Sequence, residues 1–135
     1  MASYPLADLA ADVQRLVHEH DDDRARVEAV RPYLERWLRG PDLTPEQRQP
    51  CDGMACGHLI HTAADGSFFI ISVVFPPGTS SGVHYHGEWG IIGLLSGVDE
   101  ETRYVRPDGP PVPSIGEACE LETVAKERLP AGSSM

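Results

Sequence analysis

Apolar residues in the first forty positions recur at steps of three and four: Leu6, Leu9, Val13, Leu16 and Val17, then Val27, Val30, Leu34, Trp37 and Leu38. That period matches one face of a helix, so two amphipathic helices are predicted. Asp21-Asp22-Asp23 between them supplies an N-cap and first-turn negative charge for the second helix, and Gly40-Pro41 stops it. Pro32 inside the second pattern predicts a kink, or a restart with Pro32 in the first turn. Thr44-Pro45-Glu46-Gln47 reads as a short capped turn, with Gln47 reaching back to Thr44 in a capping box.

From about residue 57 the pattern changes. Phe68 to Phe75 is a β-branched and aromatic run bounded by Asp65-Gly66 and Pro76-Pro77-Gly78, which predicts a strand buried on both faces. Trp89 to Leu95 is a second such run, closed by Ser96-Gly97. Gly57–Thr62, Val83–His86, Glu101–Arg106 and Glu117–Val124 are further strand candidates. Short strands separated by frequent turn signals favour an all-β barrel or sandwich. Pro107 to Pro113, with four prolines and Gly109, is a loop because proline cannot donate to a ladder.

Length and charge narrow the picture. The 135 residues are one domain's worth of sequence, read as a helical lead-in over 1–48 and barrel strands over 57–135. Eleven basic against twenty-one acidic residues give a net charge of −10, a field that repels phosphate backbones and anionic headgroups, so neither nucleic acid nor membrane is an expected partner. No apolar run reaches the roughly 20 residues that span a bilayer, and the opening Met1-Ala2-Ser3-Tyr4-Pro5 is not a basic segment followed by an apolar one. A cytoplasmic location is the expectation. Three cysteines, Cys51, Cys56 and Cys119, are too few for a disulfide framework, so free thiols are expected.

The chemistry concentrates between Pro77 and Gly97. On a strand, residues two apart share a face about 6.6 Å apart, so His84 and His86 would present two imidazoles to one metal ion. Neutral imidazole suits Zn, Cu, Ni and Fe; a non-haem Fe(II) site with three ligands on one face leaves positions for substrate and dioxygen. A bare His-x-His is weak, since paired strand histidines are commonly just solvated. Gly78 and Gly97 at their offsets are what a tight corner around a buried site requires.

Gly78-x5-His84-x-His86-x3-Gly90-x6-Gly97 resembles the first conserved motif of the cupins, in which the place of Gly90 usually holds a glutamate ligand. Asp65-Gly66-Ser67-Phe68, Pro77-Gly78, His84-Tyr85-His86-Gly87, Trp89-Gly90 and Gly97 resemble the thiol dioxygenase group, the cysteine dioxygenase-like and 3-mercaptopropionate dioxygenase-like cupins, which lack that glutamate and bind Fe(II) through three histidines. The resemblance covers most of the chain. It implies a cupin-type double-stranded β-helix, a jelly-roll barrel preceded by two helices, with the metal in its mouth. It implies His84 and His86 as ligands of one Fe(II), and a small thiol and dioxygen as substrates, converted to a sulfinate. The family's third histidine and catalytic tyrosine would fall beyond Met135, and its substrate-carboxylate arginine is replaced by His58. About two closing strands would also be missing. A truncated reading frame is the expectation there, with a homo-oligomeric contact over the open barrel edge as the other.

The remaining candidates each carry a plain alternative. His58 is a candidate for a substrate carboxylate or a third nitrogen ligand, against a hydrogen-bonded strand histidine. His61 would face away from His58 on an ideal strand. Cys51-x4-Cys56-x-His58-x2-His61 also resembles a loose zinc cluster. Arg103, with Tyr104, is a candidate for lining the substrate pocket, against a solvent-facing arginine. Tyr85 and Trp89 read as packing residues, Glu88 as exposed, and His18 and His20 as surface groups. Two functions follow: an Fe(II)-dependent thiol dioxygenase, or a non-catalytic or degenerate cupin that binds a small molecule or metal with the third ligand missing.

Overall fold

Both predicted helices form. A computed structural model describes residues 2–135, and in it α1 spans Leu6–Glu19 and α2 spans Asp23–Leu38. The Asp22 carboxylate accepts from the Arg24 and Ala25 backbone N–H groups, so the aspartate run caps α2 as its composition predicts. Pro32 lies inside one continuous α2, without a restart. The apolar stripes meet: Leu9, Val13, Leu16 and Val17 of α1 and Val30, Trp37 and Leu38 of α2 are buried. Tyr4 seals one end of this core, its hydroxyl donating to Asp12 at 2.5 Å and its ring lying 4.3 Å beneath the Arg36 guanidinium. Burial and the Asp12 carboxylate push the Tyr4 hydroxyl well above its usual range. At the same end Asp42 accepts from Trp37 Nε1–H at 2.8 Å and from the Leu6 N–H at 2.7 Å, fixing the chain as it leaves α2. The Thr44 and Gln47 hydrogen bonds are reciprocal, at 2.9 and 3.3 Å, and lead into a 3-10 turn at Glu46–Arg48.

Strands β1 (Cys56–Thr62) and β2 (Phe69–Val74) form an antiparallel hairpin, with Cys56 opposite Val74 and Thr62 opposite Phe69. Gly66, at φ +73, makes the reversal predicted from Asp65-Gly66. Asp65 also ties the hairpin to α1, accepting from Gln14 at 2.9 Å and pairing with His18 at 2.8 Å. The Ser67 hydroxyl and N–H, then Gln14 and His18, hold the Asp65 carboxyl well below the usual carboxylate range. The expectation that β2 is buried on both faces does not hold. Its burial alternates, and Phe69, Ile71 and Val73 are 64%, 45% and 50% exposed. Strands β3 (Val98–Val105) and β4 (Glu122–Pro130) form a second antiparallel pair. The proline-rich connection between them folds around Arg106, which donates to Asp108 at 2.9 Å and Glu117 at 2.7 Å.

The all-β barrel is overturned. Among the described residues there are two helices and four strands, and the strands make two separate two-stranded antiparallel sheets with no closed barrel, so the chain is not a complete cupin jelly roll. Two predicted strands are absent. Val83–His86 is irregular and exposed, because Pro76-Pro77 ends β2 and Gly78 and Gly82 then take positive φ, each turning the chain out of ladder geometry. Trp89–Leu95 is broken by Gly90 and Gly93 and forms no regular strand; it pairs only over 92–94, where Ile92 and Leu94 exchange backbone hydrogen bonds with 132–135 about a bridge from Gly93 to Ser134. The last pairing slides along the chain: β4 begins at Glu122, not Glu117. The chain divides into two compact units, Met1–Ile91, with both helices and the first hairpin, and Ile92–Met135, with the second. Among the described residues no helix is long and apolar enough to cross a membrane.

Candidate metal centre

Two groups of metal-ligating side chains lie in Met1–Ile91, on different segments. The first is the histidine pair. After β2, Thr79 donates its N–H and hydroxyl to the Pro76 carbonyl at 3.2 and 2.6 Å around Gly78, and Gly82 donates its N–H to Ser80 Oγ at 3.2 Å. This double reversal delivers His84 with its Nδ1 3.0 Å from the Gly82 carbonyl. A carbonyl only accepts, so Nδ1 carries the proton and the neutral ring presents the Nε2 lone pair. The His86 ring lies with its centroid 5.2 Å from that of His84, tilted by 50°. With metal–nitrogen bonds of about 2.1 Å, two imidazoles on one ion place their centroids roughly 4.5–5.2 Å apart.

The surroundings differ from those expected. The segment is not a strand, and Ser81 to Glu88 are all exposed, so the pair faces water and does not lie in a barrel mouth. Tyr85 is 64% exposed and packs nothing of a core. Glu88 is exposed, as expected, and Trp89 is half-buried. The ring separation is therefore compatible with two ligands on one divalent ion. Among the described residues no third His, Cys, Asp or Glu ligand atom groups with these two.

The second group is Cys51, Cys56 and His58, whose ligand atoms lie within 4.8 Å of one another. Cys51 and Cys56 are joined as a disulfide, which corrects the expectation that all three thiols are free; Cys119 alone is free. The reason is local. Asp52 and Gly53 both take positive φ, +49 and +74, and Cys51 and Met54 exchange backbone hydrogen bonds at 3.0 and 2.9 Å, so the chain folds back on Cys56. An Asp-Gly pair just after Cys51 was the sequence signal for that reversal. His58 Nε2 lies 2.9 Å from the Gln49 carbonyl and 3.3 Å from Cys56 Sγ, so the nitrogen offered to a substrate carboxylate is already engaged.

His61 is not in this cluster. A bulge between Leu59 and His61 breaks the strand alternation, and the His61 ring stacks on Phe68 at 5.5 Å while lining a cleft of about 340 Å³ with Ala7, Ala10, Gln14 and Ala63. Arg103 belongs to Ile92–Met135, where it donates to Glu101 at 3.1 Å on its own strand. That hydrogen bond and the Glu101 charge raise its already high pKa. The structure thus brings together His84 with His86, and His58 with the cysteines. His18, read as a surface group, is indeed largely exposed but also anchors Asp65, a tie that no local pattern signals. No protein-family model matches the chain.

Proposed function

We propose that the chain is an Fe(II)-dependent oxidoreductase of the thiol dioxygenase kind. It would hold one ion through His84 and His86 and convert a small thiol and dioxygen to a sulfinate. The supporting observation is the disposition of these two rings: a 5.2 Å centroid separation, with His84 Nδ1–H held by the Gly82 carbonyl so that Nε2 is left as a donor. The motif resemblance supports iron and the thiol. When bound, ferrous iron supplies open coordination positions and redox chemistry with dioxygen. The chain's own share is to fix two donor nitrogens from a segment set by the Gly78 and Gly82 turns. His58 would meet a substrate carboxylate only after releasing Gln49, and Arg103 would do so only in competition with Glu101. Ferrous iron and a thiol substrate both favour a reducing, cytoplasmic setting.

A second reading has its own observation. The exposure of Ser81 to Glu88 leaves the pair open to water, which favours non-catalytic binding of a metal or small molecule over oxygen chemistry. One experiment separates them. The chain is loaded with Fe(II) without air, its bound iron is measured, and oxygen uptake is followed with a panel of small thiols. Thiol-dependent uptake with sulfinate as product, lost in His84→Ala and His86→Ala, supports the enzyme. Bound iron with no uptake leaves the metal-binding reading, and a folded chain that retains no iron ends the enzyme and the iron-binding reading alike.

A further inference from the structure

We propose that Cys51, Cys56 and His58 form a redox-gated zinc site, closed to metal while the cysteines are a disulfide and opened when a dithiol reduces them. The proposal does not depend on the histidine pair. It stands on three donors that different constraints bring to one place. The Asp52-Gly53 reversal delivers Cys51. Cys56 starts β1, and His58, two residues on, lies on the same side of that strand, both residues being half-buried. Pairing with β2 fixes the strand, with Cys56 opposite Val74 and His58 opposite Ser72. Ser72 in turn donates its hydroxyl to the Gln47 carbonyl at 2.7 Å, holding the 3-10 turn against the hairpin so that the Gln49 carbonyl reaches the His58 ring.

The spacing suits zinc. In a tetrahedral site with Zn–S about 2.3 Å and Zn–N about 2.05 Å, a sulfur and a nitrogen sit roughly 3.6 Å apart and two sulfurs roughly 3.8 Å apart. Cys56 Sγ and His58 Nε2 are already 3.3 Å apart. The two sulfurs, once unbonded, need only rotate away from each other. Two thiolates and an imidazole are a soft set that selects zinc over magnesium or calcium. Cys51 is exposed, so water can complete the fourth position.

The chemistry balances with a dithiol as reductant. Its thiolate attacks one sulfur of the disulfide and its second thiol resolves the mixed disulfide, so two electrons and two protons pass to Cys51 and Cys56 and the dithiol leaves oxidised. Zinc then displaces the two thiol protons to solvent. Because the Gln49 carbonyl only accepts, His58 Nε2 carries its proton in the disulfide form; as Nε2 takes the metal it releases Gln49, gives that proton to solvent, and the ring takes one at Nδ1.

The test uses the full chain in a Cys119→Ser background, oxidised or reduced with a dithiol that is then removed without air. Zinc uptake is measured against a chromophoric chelator, proton release is followed in weak buffer, and Co(II) is the spectroscopic probe. The expected result is one zinc more per reduced chain than per oxidised chain, with release of about two protons, and a sulfur-to-cobalt charge-transfer band that Cys51→Ser and Cys56→Ser each abolish. His58→Ala should keep a weakened band, and the double variant His84→Ala/His86→Ala should keep the whole of that redox-dependent zinc while losing any bound by the oxidised chain. Circular dichroism of each reduced sample reports the fold. The proposal is overturned if the reduced chain takes up no zinc, folded or not, if the oxidised chain binds it equally, or if the band survives in either cysteine variant.

Discussion

Leu9 and Leu59 are the same residue in opposite settings, so truncating each to alanine measures burial directly. Leu9 is 1% exposed between α1 and α2, whereas Leu59 is 64% exposed on the outer face of the first hairpin. Each substitution removes three carbons, worth about 2.4 kcal/mol at about 0.8 kcal/mol per buried carbon. Leu9 loses all of it plus a cavity contribution. Two helices with one shared seam can partly close that gap, which puts Leu9→Ala at about 3 kcal/mol, in the lower part of the usual range. Scaling Leu59 by its buried third gives about 0.9 kcal/mol. Denaturant unfolding followed by tryptophan fluorescence reads the helical layer, since Trp37 is buried within it. Equal losses in the two variants would refute the reasoning, because Leu59 would then have to be covered in solution. In that case the Leu59 loss should grow with protein concentration, the mark of a second copy over the hairpin face formed by Leu59, Phe69, Ile71 and Val73.

Other perturbations test separate ties. The Asp65 carboxyl is held low in the folded chain, so its stabilisation is fully present above the unfolded carboxylate pKa of about 3.9 and is lost as pH falls toward the folded value. The stability gap between the native chain and Asp65→Asn, taken from urea midpoints, should therefore narrow steadily below about pH 4; a gap that stays constant to pH 2.5 or so would contradict the assignment. Asp42→Ala removes one acceptor shared by Trp37 and Leu6, and should cost about 1–2 kcal/mol, with Asp42→Asn recovering most of it because an amide oxygen still accepts both. Arg106→Lys cannot span Asp108 and Glu117 with one ammonium, so limited proteolysis should cut the 107–117 connection faster in the variant, and an unchanged cleavage rate would show that the loop is held by its prolines alone.

What the sequence made legible was local. The 3.6-residue period of Leu9, Val13, Leu16 and Val17, the Asp22 cap and the Thr44–Gln47 exchange each act within a few residues, and each is present. The first hairpin was legible too, because Asp65-Gly66 sets its turn and Phe69 to Val74 its strand. Ladder partners are another matter. A run such as Trp89 to Leu95 is apolar enough for a core strand, yet nothing within it states which segment would accept its backbone hydrogen bonds, and Gly90 and Gly93 weaken it before any partner is found. Reading a barrel from that run assumed a continuous ladder, whereas the run pairs only over 92–94, with 132–135.

The candidate sites divide along the same line. His84 and His86 were legible as a pair, since two residues at that spacing stay neighbours on a strand or in a loop, and their 5.2 Å separation follows. Their orientation was not legible, because it depends on whether other strands close over Ser81 to Glu88, and those residues stand in water. The cysteines show the converse. Their count argued against disulfides, but a count carries no geometry; Asp52-Gly53 does, and it forces a reversal that brings Cys51 within 5.7 Å of Cys56 between Cα atoms whatever the rest of the chain does. Once that reversal is drawn, His58 follows from strand parity alone. Of the two groups, then, the cysteine cluster owes its assembly to contacts within about ten residues and one hairpin. It should persist wherever Met1–Ile91 folds, while the histidine pair becomes a closed site only if something shields it from solvent.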